Sequence, residues 1–112
     1  MAHLIINGQV FPLIDLEHSI GRHRTNSVRL ASEWVSRWHA ALIQAPGGFL
    51  LVDRVSVNGT YVDGKRIKSQ LLVGNEEIRI GDTVLSFRIG VPDRSIGDRH
   101  NIEAKKEGGS NV

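Results

Sequence analysis

Apolar residues in this chain come in short runs rich in Val, Ile and Leu, and each run is cut off by Gly, Pro, Asn or Asp. No segment carries a sustained helical period; Leu13 to His18 has room for one turn and no more. Runs this short, bounded by turn residues, read as strands. Leu4–Ile6 reverses at Asn7-Gly8 into Val10–Ile14, because both central residues of a type I′ hairpin need positive φ. Pro12 marks that second strand as an edge or a bulge. His18–Ile20 and Val28–Leu30 flank the 22–27 loop, and His39–Ala45 pairs with Phe49–Asp53 across Pro46-Gly47-Gly48. Tyr61–Val62 turns at Asp63-Gly64 into Arg66–Ile67, and Ile78–Ile80 joins Val84–Ile89 through Gly81-Asp82. In the last pair apolar and polar residues alternate, which puts one face in a core and the other in water. About ten short strands need two packed antiparallel sheets, since one open sheet leaves a face uncovered. A closed barrel is the alternative.

This pattern ends at Val91. We expect one domain over residues 1–91 and a disordered tail or linker over 92–112, where apolar residues are too few to offset ordering entropy. Basic and acidic residues balance in that tail, which argues against a polybasic membrane anchor. The whole chain has 112 residues and a net charge of only +2, too little for a field that would hold nucleic acid along the domain. Between Gly21 and His39, however, stand Arg22, Arg24, Arg29 and Arg37 against Glu33 alone. That local excess suits a small anion. The absence of cysteine removes disulfides, thiolate metal sites and a cysteine nucleophile. No apolar run approaches membrane-spanning length and no signal-peptide pattern opens the chain, so we expect a cytoplasmic protein.

Three loop motifs carry chemistry: Gly21-Arg22, Ser36-Arg37-Trp38-His39-Ala40 and Ser56-Val57-Asn58-Gly59-Thr60. A phosphorylated threonine has nearly two negative charges and three acceptor oxygens. Arg22 offers a planar fork of donors that can meet it bidentately, and Gly21 lets the backbone approach closely or take positive φ. Ser36 adds a hydroxyl and Arg37 a second cation. His39 opens an apolar strand, so it reads as a buried histidine that fixes loop shape by hydrogen bonding. The Asn58 amide has donors and an acceptor that can clamp a peptide main chain, although Asn58-Gly59 also reads as a plain hairpin turn. Trp34 either meets peptide side chains or is buried in support of its loop. Trp38 is expected to face outward beside the site or to pack on its rim.

Taken in order, Gly21-Arg22, Ser36-Arg37-x-His39-Ala40, Leu51-Val52-Asp53, Ser56-x-Asn58-Gly59-Thr60-Tyr61-Val62, Gly64 and Ile80-Gly81-Asp82 resemble the forkhead-associated (FHA) domain over roughly residues 3–90. The resemblance implies a β-sandwich of about eleven strands that binds phosphothreonine peptides through loops at one end. It implies that Arg22, Ser36 and Arg37 contact phosphate, that Asn58 holds the peptide main chain, and that Gly21, His39 and Gly59 shape the site. Val57 stands where such domains often carry threonine, which removes one hydroxyl from the peptide groove; with Trp34 it is a candidate for specificity. The implied partner is a phosphothreonine-containing protein, a Ser/Thr kinase or its substrate, with no cofactor, metal, nucleic acid, membrane or small-molecule substrate. The rivals are a phosphorylation-independent interaction domain on this fold, a nucleic-acid binder using Trp34 and Trp38 for stacking, and a hydrolase built from Ser36, His39 and Asp53 or Asp82.

Overall fold

The computed structural model describes residues 1–91; the segment expected to form a tail, 92–112, lies outside them. Eleven strands follow one another: β1 Ala2–Ile6, β2 Gln9–Leu13, β3 Glu17–Gly21, β4 Val28–Arg29, β5 Ala40–Ala45, β6 Gly48–Asp53, β7 Thr60–Val62, β8 Lys65–Ile67, β9 Ser69–Leu72, β10 Glu76–Ile80 and β11 Thr83–Ile89. They make a six-stranded sheet in the order β2-β1-β11-β10-β7-β8 and a five-stranded sheet in the order β4-β3-β5-β6-β9. The two sheets pack as a sandwich. Every pairing is antiparallel except β3 with β4, which run parallel. That exception departs from the all-antiparallel expectation, and its cause is local. The 22–27 loop carries the chain back before β4 begins, so no hairpin joins the two strands.

The turns follow from the sequence. Asn7 and Gly8 both have positive φ, 51° and 78°, and β1 pairs with β2 across them. Asp63 and Gly64 repeat the pattern at 48° and 86° between β7 and β8. Pro12 sits in β2, an edge strand of the larger sheet, where its missing N–H disturbs no ladder. Residues 13–18, given room for one helical turn, make none. The Asp15 amide instead donates to His18 Nε2 at 3.1 Å, and the Leu16 carbonyl accepts from the Gln44 amide at 2.8 Å. Among the described residues no helix is long and apolar enough to cross a membrane.

The β9 strand is absent from the sequence reading. Ser69 and Leu71 of this edge strand face solvent while Leu72 is buried, so its apolar pattern is carried by one residue. The core lies between the sheets. Leu4 and Phe87 meet Leu42, Leu51 and Leu72 there, all fully buried, and the Phe49 and Phe87 rings pack edge to face at 6.1 Å. In the closing strands Ile78, Ile80, Leu85 and Phe87 point inward, whereas Arg79 and Val84 are exposed. Ile89 ends its strand half exposed. This alternation predicts unequal costs for truncations on the two faces of one strand. Phe87→Ala should lower unfolding free energy by about 3–5 kcal/mol, and Val84→Ala by less than about 0.5 kcal/mol, as read by urea denaturation.

Candidate functional site

The site is assembled from segments that leave both sheets and are tied together at one end of the sandwich. These are the 22–27 and 30–39 loops, the 54–59 crossover from β6 to β7, and the turn at Gly81-Asp82. Backbone bonds bring the first two together: the Arg22 amide donates to the Ser36 carbonyl at 3.0 Å and the His23 amide to the Arg37 carbonyl at 3.2 Å. Asn26 is buried and its Nδ2 donates to both His23 O and Arg37 O, at 2.7 and 2.8 Å. The Arg37 carbonyl therefore lies hard against β3. A Cβ on Gly21 would stand 2.1 Å from it, so close approach, not positive φ, is what requires glycine here.

His39 joins the second loop to the third. It is fully buried, as its place at the head of an apolar strand predicts. Its Nδ1 accepts from the Ser36 amide at 3.0 Å, which leaves Nε2 to carry the proton and donate to the Gly59 carbonyl at 2.9 Å. The Ser36 hydroxyl accepts from the Val57 amide at 3.1 Å, and its own proton remains to be donated. This arrangement does not make a hydrolytic relay. The Ser36 hydroxyl is not on the imidazole, and neither ring nitrogen meets a carboxylate. Asp53 and Asp82 bond to hydroxyls instead. Among the described residues no group of three or more His, Cys, Asp or Glu could hold a metal ion.

The third loop is built around Asp53. Its Oδ1 accepts from the Ser56 and Thr60 hydroxyls and its Oδ2 from the Ser56 amide, while Ser56 Oγ accepts from the Gly59 amide at 3.0 Å. Burial by itself would raise the Asp53 carboxyl, but the Ser56 and Thr60 hydroxyls and the Ser56 amide outweigh it and hold the group below its ordinary value. Gly59 has φ of 88° and lies against the Arg66 side chain. Asn58-Gly59 is not a hairpin, since β6 and β7 belong to different sheets. The loop tip carries Val55 with φ of 55°, left-handed and nearly fully exposed; a β-branched residue is strained there. Val57 beside it is also exposed.

Asn58 spends one of its N–H donors within the chain, on the Trp34 carbonyl at 2.8 Å. Among the described residues its second donor and its carbonyl have no partner, so only part of the amide is open to a peptide. Trp34 is 54% exposed, so its ring is on the surface and not buried beneath the loop. Ser32 braces this loop, accepting from the Trp34 amide and donating to Asp82 at 2.6 Å. Trp38 is half exposed and stacks on His23 at 4.8 Å.

Arg22 and Arg37 open into one shallow hollow of about 570 Å³ that Arg24, Arg29 and Glu33 also line. Arg22 Nε donates to the Val35 carbonyl and Arg29 Nε to the Arg22 carbonyl, each at 3.0 Å. Both side chains are thereby anchored through Nε, and among the described residues their terminal nitrogens have no partner. Arg24 and Arg29 were not among the expected site residues. The signal that could have found them was the charge excess between Gly21 and His39.

A family model described as the FHA domain matches residues 18–84. The chain belongs to the FHA family. FHA domains are interaction modules. The glycogen accumulation regulator GarA of Mycolicibacterium smegmatis is 37% identical over 83 residues, 74% of this chain and 52% of GarA. A solved structure of phosphothreonine-dependent FHA domain interactions superposes with a TM-score of 0.75 at 26% identity, covering 81% of this chain and 98% of that one. Mycobacterium tuberculosis EmbR in complex with a low-affinity phosphopeptide gives a TM-score of 0.79 at 31% identity, covering 83% of this chain and 25% of EmbR. The FHA chain spans between about a tenth and about half of the length of such curated relatives.

The Asp53 bonds predict an acid limit. A carboxyl held low in the folded protein contributes stability in full above its unfolded value, about 3.9, and that contribution is lost as pH falls through the lower folded value. Asp53→Asn should therefore lower the melting temperature at neutral pH and flatten its decline below about pH 4. A pair of thermal melts from pH 2 to 7 checks this.

Proposed function

We propose that this FHA domain is a phosphothreonine-dependent protein–protein interaction module that reads partners phosphorylated by a Ser/Thr kinase, and that it binds without turnover. Arg22 and Ser36, with Arg37, take the phosphate; Asn58 takes the peptide main chain; Gly21, His39 and Gly59 hold the loops; Trp34 and Val57 face the residues that flank the phosphothreonine. The observation that carries this reading is the Arg22 side chain, aimed by its bond to Val35 O and drawn beside Ser36 by the Arg22 amide bond to Ser36 O. A guanidinium and a free hydroxyl proton on one loop junction supply charge and donors to a tetrahedral dianion. The phosphopeptide-bound relative supports the same ligand class.

The geometry gives less support to a hydrolase, because His39 is committed to two backbone groups. It also gives less to base stacking by a tryptophan pair, because Trp38 already stacks on His23.

Isothermal calorimetry tests the reading. A phosphothreonine peptide should bind and its unphosphorylated twin should not. Arg22→Ala should lose about 1.5–3 kcal/mol, ten- to a hundredfold in affinity, while staying folded. Equal binding of both peptides, or normal binding by Arg22→Ala, would reject it.

A further inference from the structure

The hollow holds more positive charge than one phosphate can neutralise. Arg22, Arg24, Arg29 and Arg37 line it against the single carboxylate of Glu33, and all five side chains are exposed. A phosphothreonine brings nearly two negative charges, which leaves about one positive charge unmatched among the lining residues. The four cations are also not equivalent. Arg22 and Arg37 belong to the two segments tied through the Ser36 and Arg37 carbonyls. Arg29 sits on edge strand β4, opposite Gly21, and Arg24 sits on the loop between them. Arg29 is not a loose surface charge, since its Nε is fixed to the Arg22 carbonyl at 3.0 Å. That bond anchors the Arg29 side chain beside the Arg22 backbone, and the residue lines the hollow.

Resting on the phosphopeptide reading above, we propose that Arg24 and Arg29 form a second anion subsite, so that this domain selects phosphothreonine peptides carrying another anionic group close to the phosphothreonine. The group is either a carboxylate side chain or a second phosphate. Like charges crowded in one hollow repel, and that repulsion is relieved only when enough anion enters. A peptide that neutralises the whole set gains over one that neutralises half of it. The second phosphate, with about twice the charge of a carboxylate, gains more. Because the cations are exposed, the effect is screened by salt.

The test titrates the full chain with a family of peptides of one sequence. The reference has phosphothreonine and neutral flanks; others place Glu at each flanking position in turn, or a second phosphothreonine. An unphosphorylated reference accompanies them. At least one Glu position should tighten binding about fivefold, a second phosphate further, and both gains should shrink as salt rises. In Arg24→Gln/Arg29→Gln the ratio of acidic to neutral affinity should fall toward one. Arg24→Gln alone should lower that ratio too, in a variant that keeps the Arg29 bond to Arg22 O and so guards against misfolding. No gain at any position, or a gain that survives in both variants, overturns the subsite. If phosphorylated and unphosphorylated reference peptides bind alike, the phosphopeptide reading itself fails and the subsite goes with it.

Discussion

One buried imidazole decides whether the loops of this domain form a single surface. His39 accepts from the Ser36 amide and donates to the Gly59 carbonyl, and so joins loops that lie twenty residues apart in the chain. The bonds run in opposite senses through one ring, so a neutral histidine with its proton on Nε2 satisfies both. A buried group left without either partner would cost about 1–3 kcal/mol, and this makes the clamp a constraint on both loops. From it the rest follows. Ser36, held by its amide, can present its hydroxyl to the Val57 amide, and the His39 carbonyl receives the Arg54 amide at 2.9 Å.

Around that clamp the polar groups are arranged as supports for backbone. Asp53 organises the crossover through Ser56 and Thr60, Asn26 bridges two carbonyls, and Asn58 holds the Trp34 carbonyl. Beside the exposed Trp34, Trp38, Val55 and Val57, the polar groups these loops present outward are mainly guanidiniums, with part of the Asn58 amide and the Ser36 proton. A rigid frame that displays charge on its loops favours binding through preorganisation. It also keeps the positive hollow together at its base: Arg22 and Arg29 are each held by a side-chain bond to backbone, on segments that are themselves bonded to each other.

The fold was legible because its turns and alternations are local. Asn7-Gly8, Asp63-Gly64 and the period of two in Ile78–Ile80 and Leu85–Phe87 state their structures directly. The β9 strand was not legible, because an edge strand with one buried leucine has no periodic signature. Nor was the parallel placement of β4, which depends on where the 22–27 loop lets the chain return. At the site, the burial of His39 and its work on loop shape could be read from the sequence, as could the glycine at position 21. Three features needed coordinates: Asn58 committing a donor to Trp34, Arg24 and Arg29 turning into the hollow with Arg22, and the strained Val55 at the loop tip. The first depends on a contact across 24 residues, the second on how the 22–27 loop and β4 set neighbouring side chains, which the charge excess only hints at, and the third on a dihedral that no residue type announces.

Amide hydrogen exchange at Ser36 and Val57, with no peptide present, tests the clamp most directly. Both amides should be protected in the free protein, because each donates within the chain. In His39→Phe, which keeps the ring's bulk and removes its polar atoms, Ser36 and Val57 should lose protection together while the core amides of β5 and β10 keep theirs. Fast exchange at Ser36 in the unaltered protein, or full protection of both amides in a folded His39→Phe variant, would contradict the account.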